Sequence, residues 1–275
     1  MAGLRRRICF GLPTLLGLRA RGFFIPYRYA DSVEAAGYPA LRPLFQAARP
    51  CFEAVLDAID DHAGDLRLIA SGGAPARFDQ DWFPRLDAAA AYAVVRRNAP
   101  RRIVEIGSGH STRFMARAVR DGGLPTRITC IDPAPRAALA GTGVEHEPVL
   151  LRDADLSIFA GLEAGDVLFV DSSHIAMPGT DVDRLFLDIL PRLGAGVLIH
   201  VHDVTLPDAY PASWSWRGYN EQIVVGALLQ GGACELVFAS HYVAATLLPG
   251  RTGGILSELP LLPGAHETSL WLRKR

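Results

Sequence analysis

From residue 101 onward, short apolar runs of four or five residues recur, and several are separated by stretches with apolar residues three or four positions apart. The short runs are typical of buried strands, and the spaced pattern is typical of amphipathic helices. Strands that alternate with helices predict an α/β fold with a doubly wound parallel sheet. The seven predicted strands span residues 103–106, 128–131, 148–151, 167–170, 197–201, 236–239 and 269–272. Mainly loop sequence separates the last two, so the final strand is predicted to run antiparallel.

The first 85 residues have a different pattern, rich in proline, glycine and aromatic residues. Within them, residues 48–66 show helical spacing with an apolar face. The residues of that face are Phe52, Val55, Leu56 and Ile59. We therefore predict an N-terminal extension or cap, partly helical and partly irregular, over residues 1–85, and a single catalytic domain over residues 86–275.

The first predicted strand ends in a glycine turn, Gly107-Ser108-Gly109, and a helical pattern follows it. Such a turn lets the backbone approach a nucleotide at the start of a helix. The fingerprint of dinucleotide-binding enzymes needs a third glycine three residues further on, for close packing of helix on strand. Thr112 occupies that position, and Ser111 or Thr112 is predicted to cap the helix instead. A nicotinamide-dependent oxidoreductase is therefore the weaker interpretation.

Two acidic residues stand beside this turn. Asp132 ends the second predicted strand, where a carboxylate can accept both hydroxyls of a ribose. Glu105 precedes Gly107 by two residues and suits a ligand with a positive charge, such as an amino group or a sulfonium. The predicted cofactor-binding residues are Glu105, Gly107, Ser108, Gly109 and Asp132.

With these residues placed, the sequence resembles the class I S-adenosylmethionine-dependent methyltransferases. The resemblance lies in the motifs VEIGSGHST, CIDP and GDVLFVDSSH, and more particularly in a bacterial group with EIGSGHST, DSSH and HVHD motifs. It implies a Rossmann-like sheet of seven strands with the seventh antiparallel, and S-adenosylmethionine as the cofactor. It also implies that Gly107 and Gly109 approach the methionyl moiety and that Asp132 holds the ribose.

A second group of polar residues follows the fourth and fifth predicted strands. The DSSH motif contributes Asp171 and His174, and the HVHD motif contributes His202 and Asp203. Because ligands bind beyond the carboxyl ends of parallel strands, all four are predicted to lie beside the cofactor. His202 is the predicted general base that takes the proton of an acceptor hydroxyl, with the other three nearby. His200 is predicted to be a core histidine.

A divalent cation held by Asp171 and Asp203 is the alternative means of activating a hydroxyl. Related O-methyltransferases have an acidic cluster at this position, but this chain has apolar Val204 where an Asp-Asn pair would need asparagine. We therefore do not favour a metal ion.

Residues 205–219 are rich in proline and aromatic side chains, which predicts a loop that closes over the acceptor. Its predicted walls are Tyr210, Trp214, Trp216 and Tyr219. Asn220 is predicted to cap the following helix, with Glu221 favourably placed at the positive end of its dipole.

The charge and composition of the chain restrict the kinds of partner and compartment that are expected. A formal net charge of -1 gives no general basic face for nucleic acid, and no apolar run is long enough to span a bilayer. The four cysteines form no CxxC pair, which favours reduced thiols and a cytoplasmic protein. Arg5-Arg6-Arg7 begins a basic and apolar N-terminus, interpreted either as a frayed tail or short docking helix or as a targeting or membrane-surface segment.

These features predict an enzyme that uses S-adenosylmethionine to methylate a hydroxyl of a small molecule or a sugar. One alternative is an NAD(P)-dependent oxidoreductase with the same type of sheet. The other is a non-catalytic cofactor-binding protein, against which the histidines and aspartates at the strand ends argue.

Overall fold

The computed structural model describes residues 4–5, 7–72 and 75–275. Arg6, in the basic N-terminal run, lies outside the described residues. The strands are β1 (Arg102–Ile106), β2 (Arg127–Ile131), β3 (Glu145–Glu147), β4 (Val167–Val170), β5 (Leu198–Val201), β6 (Cys234–Ala239) and β7 (Leu270–Lys274). The α-helices are α1 (Leu12–Leu15), α2 (Arg42–Ala47), α3 (Arg49–Asp61), α4 (Ala63–Ala70), α5 (Arg85–Asn98), α6 (His110–Asp121), α7 (Ser157–Ala160), α8 (Asp181–Arg184), α9 (Glu221–Gln230) and α10 (Ser240–Thr246).

The seven strands form one sheet in the order β3-β2-β1-β4-β5-β7-β6. Neighbouring strands from β3 to β5 are parallel, whereas β7 runs antiparallel to both β5 and β6. The predicted fold class is therefore confirmed: a Rossmann-like α/β sheet with an antiparallel last strand. The order reverses between β1 and β4, the type of point at which such sheets bind ligands.

Six of the seven strands lie where the apolar runs predict them, and the prediction for the third is wrong. Residues 148–151 were expected to form it, but β3 spans Glu145–Glu147 and pairs with β2 only. Pro148 has no amide hydrogen for a strand ladder, and a 3-10 turn begins at Leu151. An edge strand with exposed faces needs no apolar run, so the pattern gave no signal for it.

The helix predicted in the N-terminal region is confirmed as α3, and residues 85–98 form the further helix α5. Phe52 on α3 packs its ring 6.1 Å from Phe238 of β6 and 5.9 Å from Tyr242 of α10, measured between ring centroids. The apolar core is therefore continuous from α3 into the sheet.

The helical segment that follows the DSSH motif is irregular. Helix α8 passes into a π-helical turn at Leu185–Ile189 and then a 3-10 turn at Leu190–Arg192. Pro191 cannot donate a backbone hydrogen bond, which explains why regular α-helix does not continue there. None of the helices in the described ranges is long and apolar enough to cross a membrane.

Candidate active site

The glycine turn brings two strand ends into direct contact. Gly107 adopts a left-handed backbone conformation with φ 78°, and a Cβ atom there would overlap the backbone carbonyl oxygen of Asp171 at the end of β4. Its amide donates a hydrogen bond to the carbonyl of Ile131, the last residue of β2. Glycine at this position is therefore required by both conformation and space.

We expect Gly107→Ala to lower the free energy of unfolding by about 2–5 kcal/mol, combining left-handed strain with overlap of backbone atoms. Gly123→Ala is the matched control, because Gly123 has φ 56° with no atom within 4 Å of an added Cβ. Chemical denaturation should show a loss of only about 1–2 kcal/mol for the control. Equal losses in the two variants would show that the contact with Asp171 does not constrain the turn.

Asp132 is tied to the same turn by its side chain. Its Oδ2 accepts hydrogen bonds from the Ser108 amide at 2.7 Å and the Ser108 hydroxyl at 3.0 Å, and its Oδ1 accepts one from the Ala134 amide at 2.8 Å. A carboxylate has about four acceptor positions, so capacity remains for a ligand hydroxyl. Asp132 is thus held in a defined orientation at the end of β2.

Glu105 lies beneath the turn and is fully buried. Its two oxygens accept hydrogen bonds from Ser111 at 2.5 Å and from Thr112 at 2.6 Å, and Cys130 contributes a third at 3.2 Å. Burial raises the pKa of Glu105 to about 7 against the effect of these bonds. A direct contact with a cationic ligand would require Glu105 to leave these partners, so that role stays a prediction.

The helix start differs from the capping prediction. Gly109 is the N-cap residue of α6, and the Thr112 hydroxyl accepts a hydrogen bond from the Gly109 amide at 2.9 Å. Thr112 is fully buried and also bonds Glu105, so it occupies the position of a third glycine with a side chain that joins helix and strand. Ser111 is buried beside Thr112, and its hydroxyl donates a hydrogen bond to Glu105 instead of capping the start of the helix.

A cavity of about 450 Å³ opens at the carboxyl ends of β1, β2 and β4. Its size lies within the roughly 300–1,000 Å³ of small-molecule sites. Gly107, Ser108 and Asp132 line it, together with Asp171, whereas Gly109 and Glu105 lie outside its described walls. The apolar part of its lining is formed by Ile106, Ile131, Pro133, Ala134, Leu150 and Leu151.

The two polar motifs meet at His174. Its Nε2 lies 3.2 Å from Asp171 Oδ1 and 3.4 Å from Asp203 Oδ2, and its Nδ1 lies 2.9 Å from Glu221 Oε2. Burial disfavours the charged imidazole, but the hydrogen bonds to Asp171 and Glu221 raise the pKa of His174 well above its ordinary value. The imidazolium therefore joins the ends of β4 and β5 to the start of α9.

Two of these residues have unusual backbones. His174 has φ 60° and Asp203 has φ 54°, in the left-handed region that non-glycine residues seldom adopt. Such strain persists only where surrounding contacts hold it, and it concentrates at functional sites. Burial raises the pKa of Asp171, but the hydrogen bond from His174 and the nearby positive charges together hold it below its ordinary range.

A smaller cavity of about 80 Å³ adjoins the first, since Asp171 and Arg136 line both. His202 and Asp203 line this smaller cavity, so all four predicted catalytic residues lie in it or directly beside it. Trp214, from the predicted acceptor loop, forms another wall.

His202 has one bonded and one unbonded ring nitrogen. Its Nε2 donates to the carbonyl oxygen of Trp82 at 3.1 Å, which leaves the lone pair of the neutral ring on Nδ1. Nδ1 is buried and has no hydrogen-bond partner among the described residues. His200 lies on the same face of β5, fully buried, with its Nε2 2.8 Å from Ser269 Oγ, and is the predicted core histidine.

Several site residues were not predicted. Arg136 stacks its guanidinium 4.5 Å from the ring centre of Trp82, and Arg217 lies 3.4 Å from Asp203 Oδ2. Glu221 was predicted only as a favourable acid at a helix start, yet it is fully buried against His174. Glu221 lies 47 residues after His174 along the chain, and no sequence motif indicated that the two residues would pair.

Two of the four predicted wall residues of the loop 205–219 lie at the site. Trp214 lines the smaller cavity, and the ring of Tyr219 lies 4.5 Å from the ring of His174 between centroids. The predicted side-chain cap at Asn220 is wrong: its Oδ1 accepts a hydrogen bond from the Ala176 amide at 2.6 Å and makes no capping bond to α9. Asn220 instead closes the DSSH loop onto the helix start.

A family model described as a methyltransferase domain matches residues 104–204. This match runs from β1 to the residue after Asp203 and includes the glycine turn, Asp132 and the DSSH loop. It spans a little over a third of the chain. No curated protein matches the chain.

Solved structures with similar folds include an SAH-bound methyltransferase, PaMTH1, from Podospora anserina, with 16% identity over 92% of this chain and 99% of that one at a TM-score of 0.43. Another is an O-methyltransferase from Bacillus cereus in complex with SAH, with 14% identity, 81% and 91% coverage and a TM-score of 0.41. The O-methyltransferase TomG from Streptomyces achromogenes, in complex with SAM, has 20% identity, 81% and 89% coverage and a TM-score of 0.40.

Proposed function

We propose that the protein is a class I S-adenosylmethionine-dependent methyltransferase that transfers a methyl group to a hydroxyl of a small molecule or a sugar. The observation that carries the proposal is the match to a methyltransferase domain across residues 104–204, because all the residues that line the larger cavity lie in this range. The antiparallel β7 between β5 and β6 supports it, as the resemblance of the sequence implies that arrangement. We keep residues 86–275 as the catalytic unit and residues 1–85 as its extension.

The residues present fit the cofactor. Gly107 leaves no room for a side chain and keeps the turn open to the cavity, while Ser108 and Asp132 present polar groups into it. We assign the ribose hydroxyls to Asp132, the adenine to the apolar wall that includes Leu150 and Leu151, and the methionyl moiety to the turn. Bound S-adenosylmethionine supplies an electrophilic methyl group on a sulfonium.

Replacing Asp132 by Ala should weaken cofactor binding roughly 10- to 100-fold, because a charge-assisted hydrogen bond contributes about 1.5–3 kcal/mol. Calorimetric titration with S-adenosylhomocysteine measures this change. Asp188→Ala is the control, since Asp188 pairs with Arg192 outside the cavity walls. An unchanged dissociation constant in the Asp132 variant would remove the ribose contact from the account.

The smaller cavity is proposed as the acceptor site. An acceptor hydroxyl there lies beside Asp171, which borders both cavities, and His202 takes its proton as the methyl group is transferred. His174 holds Asp171 and Asp203 at fixed positions through its two contacts with them. Arg217 and Trp214 close the site on the side of the loop.

A resident metal ion is not part of the proposal. Asp171 and Asp203 are the carboxylates that a cation would need, and the cationic ring of His174 lies within 3.4 Å of both. An oxidoreductase is also disfavoured, because Thr112 fills the position of the third glycine. A non-catalytic role does not explain two left-handed polar residues and a charged histidine beside the cavities.

The proposal is tested by incubating the purified protein with methyl-labelled S-adenosylmethionine and a panel of hydroxylated sugars and phenols. We expect label on the oxygen of at least one acceptor and none with heat-denatured protein. Mass spectrometry of the purified protein should also find S-adenosylmethionine or S-adenosylhomocysteine. Transfer of label only to nitrogen acceptors would contradict the assignment of a hydroxyl, and hydride exchange with NAD(P) would contradict the reaction class.

A further inference from the structure

The N-terminal segment, defined as residues 4–36, exposes an unusual amount of apolar surface. In the described part of the chain, 13 of the 21 exposed large apolar side chains lie between residues 4 and 33. They include Leu18, which is 76% exposed, and the consecutive Phe23, Phe24 and Ile25, which are 57%, 68% and 61% exposed. A stretch of this kind marks a surface that is covered by a partner.

The charge of the segment identifies the kind of partner. Residues 1–30 contain six arginines and no aspartate or glutamate, although the whole chain has a formal net charge of -1. Arginine and apolar residues are interleaved: the guanidinium of Arg21 lies 5.7 Å from the ring centre of Phe10, and that of Arg28 lies 5.6 Å from the ring centre of Tyr29. The partner must therefore offer apolar contact and negative charge together.

The segment has local order of its own. A π-helical turn at Arg7–Gly11 leads into α1, and the Thr14 hydroxyl donates to the Phe10 carbonyl at 2.8 Å and accepts from the Arg21 amide at 3.0 Å. The chain then joins the body at Tyr38, whose amide donates to the carbonyl of Pro207 at 2.7 Å. The segment thus has a locally ordered turn of its own, and the chain that follows it is anchored to the loop 205–219 at Tyr38.

We propose that the N-terminal segment binds the surface of an anionic lipid bilayer. Apolar side chains enter the boundary between headgroups and acyl chains, and arginines interact with anionic headgroups. The alternative occupant, a second copy of this chain, would bring two sets of six arginines together in a symmetric contact. A bilayer accommodates both the positive charge and the apolar surface, and α1 is too short to span it.

The test uses the full-length chain and sedimentation with vesicles of phosphatidylcholine alone or of phosphatidylcholine and phosphatidylglycerol in equal parts. We expect binding to the anionic vesicles only, and weaker binding as salt is raised. The triple variant Arg19→Gln, Arg21→Gln, Arg28→Gln should bind roughly 100-fold more weakly. The triple variant Phe23→Ser, Phe24→Ser, Ile25→Ser should also lose binding, since it removes exposed apolar side chains.

Matched controls alter the same residue types elsewhere on the surface. The charge control is Arg101→Gln, Arg127→Gln, Arg192→Gln, and the apolar control is Leu68→Ser, Leu187→Ser, Ile223→Ser, all at exposed positions. Both controls should bind like the unaltered chain. Equal loss in the controls, or concentration-dependent dimerisation without vesicle binding, would overturn the proposal. Because vesicle binding needs neither cofactor nor acceptor, its failure is separate from failure of the proposed methyl transfer.

Discussion

Replacing His202 by Ala should reduce methyl-transfer turnover by about 10²–10⁴-fold, with little change in cofactor affinity. The reason is that His202 lines the smaller cavity and its Nδ1 has no partner among the described residues. Because Nδ1 is buried, a movement of the ring must expose it to the acceptor before it can take the proton. The variant should also change the dependence of turnover on pH, because it removes the group that accepts the proton of the acceptor. Steady-state rates across pH, with calorimetry of S-adenosylhomocysteine on the same variant, measure both parts.

The competing account of activation by a cation makes different predictions. In that case a chelator would abolish turnover, and Asp171→Ala or Asp203→Ala would be more damaging than His202→Ala. Unaltered turnover and an unaltered pH profile in the His202 variant would remove this residue from the mechanism.

Replacing His174 by Gln should lower the free energy of unfolding by about 3–5 kcal/mol, the cost of breaking a buried ion pair from one side. The variant leaves Asp171, Asp203 and Glu221 close together without the cation that joins them. Denaturant unfolding measures the loss. His146→Gln, at an exposed position with one hydrogen bond to the Asp132 carbonyl oxygen at 2.8 Å, should change stability by no more than about 1.5 kcal/mol.

This loss should depend on pH. The pKa of His174 is raised above its ordinary value of 6.5, so the folded state binds a proton that the unfolded chain releases as pH rises. The stabilisation from His174 is therefore complete below about pH 6.5 and is lost as pH rises towards the folded pKa. The difference between the unaltered protein and His174→Gln should shrink over that range, and a difference that grows with pH would contradict the charged histidine.

The pattern of apolar residues predicted the central strands well because both faces of those strands are covered. Val167–Val170 is buried at every position, and such a run has few alternatives to a buried strand. The edge strand Glu145–Glu147 has no such requirement, so its polar residues resemble loop. Strand positions were thus predictable only where burial demands an apolar sequence.

The site residues that follow directly after parallel strands were predictable, because the direction of the strands alone brings them to the same edge of the sheet. Asp171, His174, His202 and Asp203 follow adjacent parallel strands, so their convergence follows from the order of the sheet. The partners of Glu105 and the pairing of Glu221 with His174 depend on how helices pack against those strands. A carboxylate that anchors a turn and one that contacts a ligand look the same in sequence, and only burial distinguishes them.

The identity of the cofactor can be tested by one calorimetric comparison. The unaltered protein is titrated with S-adenosylhomocysteine and, separately, with NAD under the same conditions. We expect saturable binding of S-adenosylhomocysteine, abolished or weakened in Asp132→Ala, and no binding of NAD. Tight binding of NAD with no response to S-adenosylhomocysteine would contradict it.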